Sequence, residues 1–380
     1  MNGGDFPVLD APGVYLNHAA IAPWPRVAAE AVQAFAAENA ALGARHYSAW
    51  MAIEERLHRR LAALLGAERD DIAIVKNTSD GLSLVAAGRP WRAGDEVVIG
   101  VEEFPSNRLP WLALEKRGVV VREVSVTGAE PEVDLIAACT ARTKLLSISA
   151  VQYSSGLRLD LECLGTELAR RDIRFCIDAI QQLGALPLDV QRCHCDYLAA
   201  DAHKWLLGPE GVGVFYSSRR GRAELEPLAH GWRMYPEPFD FARRDWTPPA
   251  GAVRYEAGSP NMIGIVALDA SLGVLLDTGI EAIERRLIAN RNRLAAALAA
   301  LPDIEIVSPQ AAARQSGIVS FRHRALAAAD IQRELLRHDI VAAARNGAVR
   351  LSPHFYQPPE MMDTAAEIIG RAVLSISQNL

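Results

Sequence analysis

Lys204 stands in a segment equipped for chemistry, Asp201-Ala202-His203-Lys204-Trp205, which runs on into Leu206-Leu207-Gly208-Pro209-Glu210-Gly211. An apolar run before it (197–200) and a Gly-Pro-Glu-Gly turn after it predict a partly enclosed amine. Enclosure lowers a lysine pKa and frees the nitrogen to act as a nucleophile. The alternative is an ordinary surface lysine in a loop. Upstream, Phe175-Cys176-Ile177 reads as a strand that ends at Asp178. A carboxylate at the carboxyl end of a parallel strand faces the crevice where α/β proteins bind ligands. Its plainer role is a helix N-cap. Together, a Schiff-base lysine and an acidic partner for a pyridinium nitrogen make the minimal pyridoxal phosphate constellation.

Such residues need a scaffold. Short β-branched runs at 72–75, 96–99, 119–124, 145–148 and 173–177 read as buried strands, each followed by turn residues and a helical pattern. That alternation predicts a mainly parallel sheet with helices on both faces. Helices are expected at 26–40, 52–65 and 162–171, and a strand, possibly at a sheet edge, at 211–216. Proline, charge and aromatic residues cluster over 236–251, which reads as loop. After it come helices at 264–277 and 280–301. Strand-like segments at 304–307 and 317–322 then alternate with helices at 329–338 and 360–378. The reading is an α/β large domain with an N-terminal segment over residues 1–255, and a smaller α+β domain over residues 256–380.

The chain has 380 residues, with 46 acidic and 40 basic side chains and a net charge of −6. This balance gives no support for nucleic-acid binding, which needs a concentrated basic surface. No apolar run reaches the roughly 18 residues that suggest a membrane span, and the first residues do not read as a secretory signal. Five cysteines make an odd, sparse set that fits a reducing compartment better than a disulfide framework. The expectation is a cytoplasmic enzyme without nucleic-acid or membrane partners. Cys193-His194-Cys195 lacks a matching second pair and is expected to bind no metal.

Seven segments, the two above among them, fall in one order: Tyr15-Leu16-Asn17-His18-Ala19-Ala20, Asn77-Thr78-Ser79-Asp80-Gly81, Glu103-Phe104-Pro105-Ser106-Asn107, Asp178-Ala179-Ile180-Gln181, His203-Lys204, Glu256-Ala257-Gly258-Ser259-Pro260-Asn261 and Arg350-Leu351-Ser352-Pro353-His354-Phe355-Tyr356. In this the chain resembles, over nearly its whole length, the class V aminotransferase group of fold-type I pyridoxal phosphate (PLP) enzymes. That group also includes cysteine desulfurases, kynureninase and isopenicillin N epimerase.

The resemblance implies roles residue by residue. Lys204 would hold PLP as a Schiff base and then move protons at the substrate Cα. Asp178 would pair with the pyridine nitrogen, Gln181 with the phenolic oxygen, and Phe104 would stack on the ring. Thr78 and Ser79, at a turn that opens a helix, would bind the phosphate through backbone and hydroxyl groups, as would His203. Ser259 would reach the phosphate of a neighbouring subunit, which implies a homodimer. Arg350 would grip the α-carboxylate of a small amino-acid substrate with its guanidinium fork, and Asn17, His18 and Trp232 would line the substrate pocket.

Two departures from relatives bear on function. Sulfur-mobilising desulfurases carry a mobile cysteine shortly before the carboxylate-binding arginine. Here Arg345-Asn346-Gly347-Ala348-Val349 leads straight to Arg350, which disfavours persulfide-forming desulfuration. Relatives often have Ser or Thr three residues before the lysine, touching the phosphate. Asp201 stands there in this chain and is expected to point elsewhere. Transamination is therefore the leading expectation, with β-elimination at a C–S bond or epimerisation as alternatives. A nucleotide-binding protein is disfavoured because the chain lacks a Gly-x-Gly-x-x-Gly turn and a P-loop.

Overall fold

The structure, a computed structural model, describes residues 5–235, 239–242 and 244–378. After a two-residue strand, β1 (Val14–Tyr15), come β2 (Ile72–Val75), β3 (Glu96–Gly100), β4 (Val120–Val124), β5 (Thr143–Ser149), β6 (Arg174–Asp178), β7 (Tyr197–Asp201) and β8 (Gly213–Ser217). These last seven form one sheet in the order β2-β8-β7-β6-β5-β3-β4. Pairing is parallel from β4 through β7, while β8 runs antiparallel to both β7 and β2. The strand around 213–217, read from sequence as possibly an edge strand, is thus second from the edge. The edge is β2.

The unbroken apolar runs have a direct cause. Val98, Leu146, Phe175, Ile177 and Leu198 enter one buried cluster, whereas Val97, Leu145, Cys176, Tyr197 and Ala199 enter another. Successive strand residues point to opposite faces, and both faces are covered. One cover is the helix Tyr47–Leu65, whose buried Trp50, Glu54, Leu57, Leu61 and Leu65 fall at helical spacing.

The C-terminal region adds β9 (Ile304–Ile306), β10 (Val319–His323), β11 (Ile340–Val341), β12 (Ala343–Arg345) and β13 (Ala348–Leu351). Four of these make an antiparallel sheet, β12-β13-β10-β9, packed on the helix Glu360–Gln378 through Met362, Ala366, Ile369 and Val373. Packing crosses the chain division expected at 255/256. The helix Met262–Thr278 buries Ile265, Leu268 and Leu272 in the large-sheet core, and Val14 and Leu16 from the N-terminus join the small core. β1 pairs in parallel with β11, Val14 opposite Ile340. Much of the expected 236–251 loop is described as irregular backbone; residues 236–238 and 243 lie outside the described residues. Among the described residues no single helix is long and apolar enough to cross a membrane.

Candidate active site

The sheet changes winding direction between β3 and β5: β4 lies on one side, β6 and β7 on the other. At such a switch point the loops leaving the carboxyl ends of neighbouring strands part and leave a crevice. A cavity of about 290 Å³ lies there. Its walls come from the turn after β3 (Phe104, Ser106), the loop after β5 (Tyr153), the end of β6 (Asp178, Gln181) and the end of β7 (Asp201, His203, Lys204). The start of the helix Thr78–Gly88 and the β12–β13 hairpin, through Arg345 and Arg350, complete it.

Lys204 is 9% exposed, and its Nζ stands 5.7 Å from the centroid of the Phe104 ring. Burial pulls its pKa below that of a free lysine, opposed by the charge of Asp178 and reinforced by that of Arg350. The turn that holds it is strained: Leu207 has φ +59°, a left-handed conformation that costs a side-chain-bearing residue about 1–2 kcal/mol. The peptide there is held by Leu207 N–H to the Lys204 carbonyl at 3.1 Å and by the Ser271 hydroxyl to the Leu207 carbonyl at 2.9 Å.

Asp178 ends β6 fully inside the protein, and its Oδ1 accepts from the Ile180 amide at 3.0 Å. Burial raises its pKa, and a second buried carboxylate, Glu103, raises it further. Glu103 follows β3 and is itself surrounded by donors: the Ser149 amide at 2.9 Å, the Ser149 hydroxyl, Asn107 Nδ2 at 2.7 Å and Gln152 Nε2 at 2.7 Å. Ser149 is the β5 residue in register with Asp178. No role for Glu103 was read from the sequence. The available signal was its spacing, with Asn107 four residues on and Trp111 four further, a chain completed by Trp111 Nε1 donating to Asn107 Oδ1 at 3.0 Å.

Gln181 is fixed at both ends of its amide. Its Nε2 donates to the Ala19 carbonyl at 3.0 Å and its Oε1 accepts from Trp205 Nε1 at 2.9 Å. An amide nitrogen carries two hydrogens, so one remains for the cavity. Thr78 Oγ1 accepts from the Asp201 amide at 2.9 Å, Ser79 Oγ donates to Ser106 Oγ at 2.7 Å, and Asn77 caps the helix through the Asp80 amide. This helix start reaches the cavity because Gly81 lets the helix lie against β7. A Cβ at Gly81 would come within 2.8 Å of the Ala199 Cβ.

The substrate-pocket expectations fare unevenly. Arg350 lines the cavity at 2% exposure, its Nη1 donating to the Tyr153 carbonyl at 2.7 Å while its Nε is buried without a protein partner. Burial lowers its pKa to about 10. His18 is not on the cavity wall. Its Nδ1 lies 2.7 Å from the Ser352 carbonyl, so that nitrogen carries the hydrogen, and its Nε2 accepts from the Tyr356 hydroxyl at 2.6 Å. It ties the N-terminal segment to the C-terminal region. Asn17, which bridges to Ser352 through the backbone, is also absent from the wall, although its buried Oδ1 has no protein partner. Trp232 packs its ring against Phe239 and Phe241, outside the cavity.

Asp201, expected to point away from the phosphate, stands on the cavity wall with its Oδ1 buried. Its Oδ1 sits 3.0 Å from His203 Nδ1. Ser259 is exposed in the loop before the helix Met262–Thr278 and lies outside this chain's cavity. Glu256 anchors that loop, its Oε1 accepting from His58 Nε2 and from the Ile74 amide, both at 2.7 Å. Among the described residues no three metal-ligating side chains gather into a group.

The Aminotransferase class-V profile matches residues 14–355. The chain belongs to that family. Its cofactor is pyridoxal phosphate, and its fold is that of the fold-type I PLP enzymes. It is similar to a probable cysteine desulfurase of Methanothermobacter thermautotrophicus, with 29% identity covering 96% of this chain and 97% of that protein. It is also similar, at 29% identity and 95% coverage of both chains, to isopenicillin N epimerase of Streptomyces clavuligerus. Among solved structures, a cystine C-S lyase in complex with its product cysteine persulfide superposes with a TM-score of 0.89, covering 96% of this chain and 99% of that one. At 24% identity, this is a likeness of fold.

The residues present fit the cofactor. A buried lysine and a buried carboxylate face one cavity, the start of the helix Thr78–Gly88 lies on the same wall, and an aromatic ring stands beside the amine.

Proposed function

We propose that this protein is a class V aminotransferase that works at the Cα of a small amino acid, with Lys204 as the proton-transferring base. The observation that supports this most directly is the enclosure of Lys204 and Asp178 in one cavity with Arg350, a buried guanidinium whose Nε has no protein partner. Bound PLP supplies an electron sink for charge that develops at Cα. In this reading Arg350 binds the α-carboxylate and so presents the Cα–H bond to Lys204. The lowered pKa of Lys204 leaves its nitrogen able to take that proton and return it. Asp178, kept from water and beside Glu103, holds a proton at the ring nitrogen. Thr78, Ser79 and His203 bind the phosphate, and Phe104 covers one ring face. Ser259 serves a partner's phosphate in a homodimer. The exposed apolar side chains Ile21, Leu109 and Ile263 provide surface for such a contact.

A second reading is β-elimination at a C–S bond. It is favoured over persulfide-forming desulfuration by the placement of the cysteines: none of the five lines the cavity, three are buried, Cys163 is exposed within the helix Leu161–Arg170 and Cys139 is half-buried after the helix Pro131–Ala137.

The deciding experiment is a single turnover of the holoenzyme with L-amino acids and no keto acid. Conversion of the cofactor to its amine form with one equivalent of keto acid supports the transaminase. Continued release of ammonia, pyruvate or sulfide with unchanged cofactor overturns it in favour of the lyase.

A further inference from the structure

The β12–β13 hairpin carries more positive charge into the cavity than one carboxylate requires. Its turn is Asn346-Gly347, with φ of +48° and +73°, the left-handed pair of a tight type I′ hairpin. Across this turn Ala343 pairs with Arg350 and Arg345 with Ala348. Paired residues of an antiparallel ladder point to the same face, as do residues two apart along a strand. Arg345 and Arg350 are therefore diagonal neighbours on one face, within reach of each other for long side chains.

Both line the cavity, but at different depths. Arg350 is buried beside Lys204, while Arg345 is exposed at the mouth and donates only to the carbonyl of its neighbour Ala344, at 2.9 Å, among the described contacts. Arg345 repels Arg350, as does Lys204, and among the described residues no carboxylate bonds its guanidinium. Arg322 shares the same sheet face through the β10–β13 ladder, yet stands opposite Glu305 of β9. The mouth is completed by Tyr153, whose hydroxyl donates to Asn346 Oδ1 at 3.3 Å and whose ring meets Phe104 edge-on at 5.2 Å.

We propose that Arg345 binds a second anionic group of the substrate, so that the amino acid this enzyme processes carries an acidic side chain, a carboxylate in the simplest case. The inference rests on the reading of Arg350 as the α-carboxylate site. The geometry behind it is the depth difference. A substrate whose α-carboxylate is seated on Arg350 and whose Cα faces Lys204 extends its side chain outward, toward the rim where Arg345 waits. A guanidinium meeting a carboxylate there gives a charge-assisted, bidentate contact.

The test uses holoenzyme and ligands that cannot react because they lack an amine. Glutarate and butyrate are titrated, and binding is followed by the cofactor absorption band and by tryptophan fluorescence. The expected result is glutarate binding at least tenfold tighter than butyrate, with that ratio collapsing toward one in Arg345→Gln and largely restored in Arg345→Lys. As a second readout, kcat/KM for glutamate over glutamine, or aspartate over asparagine, falls in Arg345→Gln by roughly ten- to a hundredfold, mainly through KM. Equal affinities for the two ligands in the parent enzyme overturn the proposal. So does a glutarate preference that survives in Arg345→Gln while both affinities drop, because that places Arg345 on the same carboxylate as Arg350. Borohydride reduction followed by peptide mass mapping separates this from the reading beneath it. With cofactor trapped on Lys204, a missing preference overturns the acidic-substrate inference alone; without it, the assignment of the site falls as well.

Discussion

Replacing Arg350 by methionine should make the protein more stable while weakening its grip on carboxylates. The guanidinium is 2% exposed and its Nε has no protein partner. Burial lowers its pKa from the ordinary arginine range to about 10. A shift of one unit corresponds to about 1.4 kcal/mol, so holding this charge inside costs the folded state about 3 kcal/mol. Methionine has similar length and fills irregular space without charge. Against the gain stands the Tyr153 carbonyl, which loses its 2.7 Å partner, a loss of about 1 kcal/mol. The net expectation is about 2 kcal/mol of added stability for Arg350→Met. The sign with pH is fixed. The folded pKa is the lower one, so the unfolded chain binds the proton more tightly and the penalty is complete at all pH below about 10. It fades only as pH rises further, toward the ordinary arginine range. The assay is urea unfolding of substrate-free holoenzyme at pH 7.5, with the parent and Arg350→Lys alongside, and glutarate or butyrate affinity as the functional readout. A variant no more stable than the parent would show that the guanidinium is compensated inside the protein, and the argument that the site is built at a cost, for an anion to relieve, would be wrong.

Further expectations follow from the same structure. Lys204→Ala abolishes the borohydride-reducible adduct; a normal adduct in that variant refutes the lysine assignment. Asp178→Asn keeps the fold but lowers the rate of Cα proton exchange by roughly a hundredfold or more, measured as deuterium incorporation into substrate by NMR; an unchanged rate removes Asp178 from the ring nitrogen. His18 is held neutral by burial, with its pKa lowered to about 4. Stability from this group is therefore complete above about pH 6.5 and lost as pH falls toward 4, to the extent of about 3 kcal/mol; His18→Gln should flatten that part of the acid-unfolding profile, and an unaltered profile counts against it. Ser259→Ala weakens PLP retention in dialysis if the loop serves a partner's phosphate, and no change removes that contact.

Strands and long helices were legible because both faces of the sheet are covered, which turns each strand into an apolar run. Lys204 and Asp178 were legible because polar residues stand where such runs end. Position on a motif did not reveal direction. His18 and Trp232 sit in the right segments, yet His18 bonds Ser352 and Tyr356, and Trp232 meets Phe239 and Phe241. Arg345 escaped notice because its importance depends on strand register. The pairing of Ala343 with Arg350 puts it on the same face, and a one-residue slip would have sent it away. Nor did the sequence show that the carboxylate of Asp201 stands 3.0 Å from the ring of His203, two residues on.

The pairing of β1 with β11 has a consequence for how the enzyme is made. Val14 meets Ile340, 326 residues later, and the same N-terminal segment supplies Ala19 to Gln181 and the Ala22 amide to the His203 carbonyl. On a ribosome adding roughly 5–20 residues each second, the first strand waits on the order of 16–65 seconds for its partner to exist. The large sheet can assemble while synthesis proceeds, but the wall behind Gln181 and His203 closes only near the end. Cofactor loading should therefore be a late event in the life of each molecule, and a nascent chain stalled before residue 340 should carry a formed sheet and an unfinished site.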